Sequence, residues 1–224
     1  MQTSFFEHTQ KAWQTDWQCP RFRRQLLVGW SLVIALLCFL PFYYPHIEYR
    51  EGILLNDWLL EQLPAQDVSI PIFLIIWGSG LLTIIRAVSK PTLMVHVVWG
   101  YAFVTFFRLI TIWFIPLNPP IGLIPLIDPL SNVFYGDVKF ATKDLFFSGH
   151  TSTLFLFYLA LEKKSDKWLS LVGVVILGCL LAIQHVHYTI DILFAPFGTY
   201  LAYRLAKNFV PVPQKTPNLQ STDA

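Results

Sequence analysis

Apolar and polar positions fall in long blocks along this chain rather than alternating every two or four residues. Six apolar runs stand out, at 25–43, 68–88, 92–117, 145–161, 168–183 and 188–205. Each is close to the roughly 20 residues that a helix needs to cross a hydrocarbon core about 30 Å thick. The first run ends in PFYYP, where the rings suit an interface and the prolines discourage helix beyond 43. Residues 44–67 are acidic. ILLNDWLLEQL within them is apolar but interrupted by Asp57 and Glu61, which predicts a helix lying in the interface. Residues 118–144 are rich in proline, glycine and aspartate, which predicts a structured loop. The pattern as a whole predicts an all-α polytopic membrane protein, a six-transmembrane-helix bundle. It divides into a cytoplasmic segment at 1–24, a six-helix membrane domain at 25–207 that holds any catalytic site, and a disordered tail at 208–224.

Composition agrees with that pattern and narrows it. The chain is 54% hydrophobic and only 13% charged, with a mean hydropathy of +0.51, outside the range of ordinary soluble domains. A net charge of +2 does not point to a nucleic-acid partner. Cys19, Cys38 and Cys179 have no paired spacing, so neither a disulfide nor a C-x-x-C site is expected. The polar start lacks the pattern of a cleavable signal, so the first span is expected to remain as an anchor.

The placement of charge says more than its sum. Counting along alternating spans puts twelve of the sixteen Lys and Arg residues on the side of both termini. Arg50, Lys139 and Lys143 fall on the other side, and Arg108 falls inside a span. By the positive-inside tendency both termini are expected to be cytoplasmic, with 44–67, 118–144 and the HVH turn outside. A bacterial inner membrane with a site facing the periplasm is the expected location, with a Golgi or plasma membrane as the alternative.

Ionisable side chains at membrane depth are costly and need a reason. The same alternation brings His150, His187, Asp191 and Arg108 to one face. A carboxylate four residues after His187 can orient one ring nitrogen and leave the other as a nucleophile or general base. His150 follows Ser148-Gly149 at the start of a helix, where backbone N–H groups suit an anion. From there His150 could protonate a departing alkoxide. Arg108 suits phosphate oxygens, and Lys143 is a second cation for them. Ser148 fits a helix cap as well as a substrate contact, and Lys143 with Asp144 fits an interfacial anchor. His96 has no visible partner, and His185 points away from His187 on a helix, so no metal site is expected. A reading from another class remains, a non-catalytic protein that ligates haem or relays protons through its histidines.

Ser148-Gly149-His150-Thr151 followed by His187-Tyr188-Thr189-Ile190-Asp191 resembles two signatures of the type 2 phosphatidic acid phosphatase superfamily, in its sphingomyelin-synthase-like branch. Phe107-Arg108-Leu109-Ile110-Thr111 is similar to that branch's Tyr-Arg-x-x-Thr element. The resemblance implies that His187 attacks phosphorus to form a phospho-histidine, that Asp191 orients it, and that His150 protonates the leaving oxygen. It implies a phospholipid substrate and no cofactor, with water or a lipid alcohol (ceramide or diacylglycerol) to receive the group; ceramide as the acceptor and phosphocholine as the moved group do not carry over from the resemblance. The alternative is a lipid phosphate phosphatase that transfers to water only. Departures are specific. No arginine precedes the final histidine, Thr142-Lys143-Asp144 stands where the synthases have Cys-Gly-Asp, and Val97-Val98 lie near the place of their double arginine.

Overall fold

A computed structural model describes residues 2–127 and 140–210. The readings for Lys139 and the rest of 128–139, and for the tail past 210, lie outside the described residues. Among these residues there are eight helices. They are α1 (Gln2–Trp17), α2 (Pro20–Glu48), α3 (Trp58–Glu61), α4 (Ser69–Ser89), α5 (Pro91–Phe114), α6 (Gly149–Ala160), α7 (Lys164–Ile183) and α8 (Thr189–Phe209).

Four of them, α2, α4, α5 and α7, are long and apolar enough to cross a membrane, which makes this a multi-pass membrane protein. The other two expected spans differ for separate reasons. Helix α6 has 12 residues and reaches only about 18 Å. Helix α8 has 21 residues but is less apolar, since it carries Asp191, Arg204 and Lys207.

Helix α5 is the axis of the bundle, packing against α2, α4, α6 and α8. Val98 and Ala102 of α5 meet Val33 of α2, while Leu93 meets Leu156 of α6 and Tyr203 of α8. Ile70, Leu74 and Leu193 point outward, as a lipid solvent permits. The chain direction alternates through α5, α6, α7 and α8. The end of α5, the start of α6, the end of α7 and the start of α8 therefore gather at one end of the bundle.

Three local expectations are corrected. Helix α2 does not stop at 43 but runs through Pro41 and Pro45 to Glu48. Tyr43, Tyr44 and Ile47 bury against Leu109 and Ile112 of α5, and the Tyr43 hydroxyl donates to the Leu109 carbonyl at 2.7 Å. That packing outweighs the loss of proline's backbone donors, which membrane helices tolerate. The interfacial helix shrinks to the four residues of α3. The chain before it is extended, with the Ile53 N–H on the Pro116 carbonyl and the Asn118 N–H on that of Ile53. The fourth run becomes helical only at Gly149, because side chains of α5 take the carbonyls of Phe146 and Phe147.

Candidate active site

The end of α5 sets the frame. Arg108 donates through Nε to the Phe147 carbonyl at 2.8 Å and through Nη2 to Asp144 Oδ1 at 2.6 Å. Three residues on, Thr111 Oγ1 donates to the Phe146 carbonyl at 3.0 Å. An arginine and a threonine at i and i+3 share a helix face, and here that face holds the backbone leading into α6. Thr111 thus has a structural part that its short motif alone did not reveal.

Helix α6 starts on that frame. The Ser148 hydroxyl accepts from the Thr151 hydroxyl at 3.1 Å and from the Thr151 N–H, capping the helix. The side chain is fully buried and serves the cap. Gly149 allows a close approach, and what approaches is Arg108. A Cβ at 149 would lie 2.7 Å from the guanidinium carbon and from Nη1. The guanidinium is held on two sides by Asp144 and the Phe147 carbonyl, so it cannot swing clear without breaking a bond. Gly149→Ala is expected to lower turnover roughly a hundredfold through a misplaced Arg108, and to lower the melting temperature as well, since the displaced guanidinium gives up a bond to Asp144 or to the Phe147 carbonyl. Steady-state kinetics beside a circular-dichroism melt checks this.

Helix α8 brings the second histidine. Asp191 lies in its first turn and is fully buried, and its Oδ2 accepts from the Tyr188 N–H at 3.1 Å. His187 precedes the helix rather than lying on it, a correction to the shared helical face expected from the spacing. Its Nδ1 is 3.6 Å from Asp191 Oδ2, a facing pair too long for a hydrogen bond in this state. Neither His187 Nδ1 nor Asp191 Oδ1 has another partner among the described residues. The Ser148 N–H donates to the Asp191 carbonyl at 3.2 Å, tying the two helix starts together. The rings of His150 and His187 then meet edge to face with centroids 6.3 Å apart. Between them and the residues Leu123, Leu126, Phe140, Asp144 and Leu145 is a cavity of about 20 Å³, room for about one water.

Neighbouring residues hold this arrangement from outside. The Glu48 carboxylate accepts from the N–H groups of Thr142 and Lys143 and from the Thr142 hydroxyl. The Lys143 ammonium donates to the Arg50 carbonyl, so in this state it braces the loop rather than facing the histidines. Arg50 donates to the carbonyls of Ile112 and Trp113 at the end of α5. Asp57 accepts from the Thr189 N–H at 2.6 Å and from its hydroxyl at 2.9 Å, fixing the start of α8. The Tyr188 hydroxyl donates to the Asn118 carbonyl at 2.9 Å. Burial, with the Asp191 and Asp57 carboxylates, raises the pKa of that phenol, and its bond from the Leu55 N–H works the other way.

Two further histidines, His185 and His96, lie apart. His185 has a left-handed backbone (φ 55°), and its ring nitrogens face the carbonyls of Ile121 at 2.8 Å and Leu63 at 3.1 Å. It lines a separate cleft of about 590 Å³ together with Asp57, Glu61 and Tyr188. His96 lies in the second turn of α5, 12 residues or about 18 Å along the helix from Arg108. Among the described residues, no group of three His, Cys, Asp or Glu side chains is placed to hold a metal ion.

Residues 143–208, which contain Ser148, Gly149, His150, His187 and Asp191, match the family model described as PAP2 superfamily C-terminal. Arg108 and the clamps at Glu48 and Asp57 lie outside the match. That stretch is similar to a PAP2 superfamily C-terminal region. No curated protein and no solved structure matches the chain.

Proposed function

We propose that this protein cleaves a phosphoester or phosphodiester of a membrane lipid through a phospho-histidine at His187, on the extracytoplasmic face, and passes the phosphoryl group, with any head group it carries, to a lipid alcohol or to water. The observation that carries the reading is the juxtaposition of His150 and His187 at two tied helix starts, with Asp191 behind one ring and Arg108 against Gly149 beside the other.

The chemistry follows from those positions. Asp191 faces His187 Nδ1, so Nε2 carries the lone pair that forms the bond to phosphorus. The pair closes from 3.6 Å to hydrogen-bond distance as positive charge develops on the ring. The bond from phosphorus to the leaving oxygen breaks, and that oxygen takes a proton from the His150 imidazolium. Arg108 meets charge that gathers on the phosphoryl oxygens. In the second half, neutral His150 removes a proton from the attacking alcohol or water, the new P–O bond forms, and the P–N bond returns its electrons to His187. Ceramide and diacylglycerol are acceptors of the right chemistry, each with a hydroxyl at interface depth. This is a reaction of the kind that sphingomyelin synthases perform.

The test is mass spectrometry of products from reconstituted protein given a phospholipid with an isotopically labelled head group, with and without each alcohol. A new labelled phospholipid formed only with the alcohol establishes transfer and names the acceptor. Release of labelled water-soluble phosphate ester or free phosphate alone establishes hydrolysis. Unchanged substrate under every condition overturns the reading.

A further inference from the structure

The helix ends opposite the histidines hold a second charged cavity, of about 420 Å³, between the α4–α5 turn and the α6–α7 turn. It is lined by Arg86, Lys90 and Lys163 against Glu162 and Asp166, a surplus of one positive charge. Helix α7 has 20 residues, so this cavity lies about 30 Å along that helix from the histidine end.

Its cations are not equally engaged. Lys90 pairs with Glu162. Arg86 pairs with the buried Asp166, but only through Nε, at 2.6 Å. Both terminal guanidinium nitrogens, and the Lys163 ammonium, make no hydrogen bond or close ion pair among the described residues, and Lys163 acts on Asp166 only at longer range. A carboxylate on the Nε edge fixes the plane of a guanidinium and leaves its other edge as a two-pronged donor suited to phosphate oxygens. The second carboxylate, Glu162, is already matched by Lys90. The outer surface beside the cavity is apolar, with Val88, Trp168 and Leu169 exposed, as it would be beside acyl chains. Basic pockets between helix ends at a membrane surface bind the head groups of anionic lipids.

We infer that Arg86 and Lys163 form a binding site for the phosphate of an anionic phospholipid in the leaflet opposite the histidines. The ligand is gripped there and not transformed, since among the described residues no histidine lines the cavity. The site is independent of the chemistry proposed for His187.

The test is native mass spectrometry of the full chain carrying His187→Ala, so that the result does not depend on turnover. Dioleoylphosphatidylglycerol and dioleoylphosphatidylcholine are titrated in detergent, with and without millimolar inorganic phosphate. Two variants keep a cation beside Asp166. Arg86→Lys removes the two-pronged edge, and Lys163→Gln removes a side chain that makes no hydrogen bond or close ion pair. Each is expected to weaken retention of the first phosphatidylglycerol roughly tenfold, the worth of one charge-assisted hydrogen bond, and to leave phosphatidylcholine unaffected. Resistance to inorganic phosphate confirms a lipid ligand. Displacement by inorganic phosphate overturns the lipid and assigns the same donors to a soluble phosphate. Equal phosphatidylglycerol retention by the parent and by Lys163→Gln overturns the site, even if Arg86→Lys fails to fold.

Discussion

His187→Ala is expected to lower turnover by about 10⁴-fold or more and to eliminate acid-labile label on the protein after exposure to phosphate-labelled lipid. The fold has little to lose there. His187 Nδ1 makes no hydrogen bond, and the Asp191 bond to the Tyr188 N–H, which anchors the start of α8, is independent of the ring. His150→Ala behaves differently, since the proton it supplies matters only when the leaving oxygen is a poor one. With a nitrophenyl phosphate ester, whose leaving group departs without help, His150→Ala recovers most of the gap in the burst of nitrophenol that accompanies phosphorylation of His187, while its steady turnover stays slow because His150 also activates the acceptor; His187→Ala recovers neither. Label retained in His187→Ala would move the nucleophile elsewhere.

Arg108→Ala removes two things at once, and a second substitution separates them. The loss of a preorganised cation beside developing phosphoryl charge costs about 10² to 10³ in turnover. The loss of its ion pair leaves Asp144, largely buried, without its counter-ion and costs about 3 kcal/mol in stability. Adding Asp144→Asn is expected to restore most of the melting temperature, because a neutral amide needs no guanidinium beside it. It restores none of the activity. If the double variant recovers turnover as well, Arg108 serves only the loop before α6, and the phosphate is bound by another group.

The meeting of His150, His187, Asp191 and Arg108 was legible in the chain because blocks of apolar residues fix chain direction. Direction then decides which turns share an end of the bundle. What was not legible depended on long-range partners. Glu48 looked like one acid in an acidic connection, yet it holds Thr142 and Lys143, more than ninety positions away. Asp57 looked like an interruption in an interfacial helix. It is the carboxylate that fixes Thr189, and a carboxylate breaking an apolar segment was the available signal. The proline stop after 43 was misread because propensity is local, while the burial of Tyr43, Tyr44 and Ile47 on α5 is not. Helical periodicity put His187 on a helix face, and the turn at 184–188 places it before the helix instead. Lys143 had the charge to reach a phosphate, but the nearest acceptor its ammonium meets is the Arg50 carbonyl.

The chamber between the two histidines has kinetic meaning. At about 20 Å³ it has room for about one water, so on the proposed reaction admission of the lipid phosphate is a step of its own, separate from bond making. On the proposed reaction, Leu123, Leu126 and Phe140, which line the chamber, would part before phosphorus reaches His187. Two clocks then govern each cycle, one for the loops and one for the chemistry. Bilayer thickness, lipid order and temperature act on the first without touching the second. A faster leaving group shortens only the second, and turnover stops responding to it once the loops are the slower of the two.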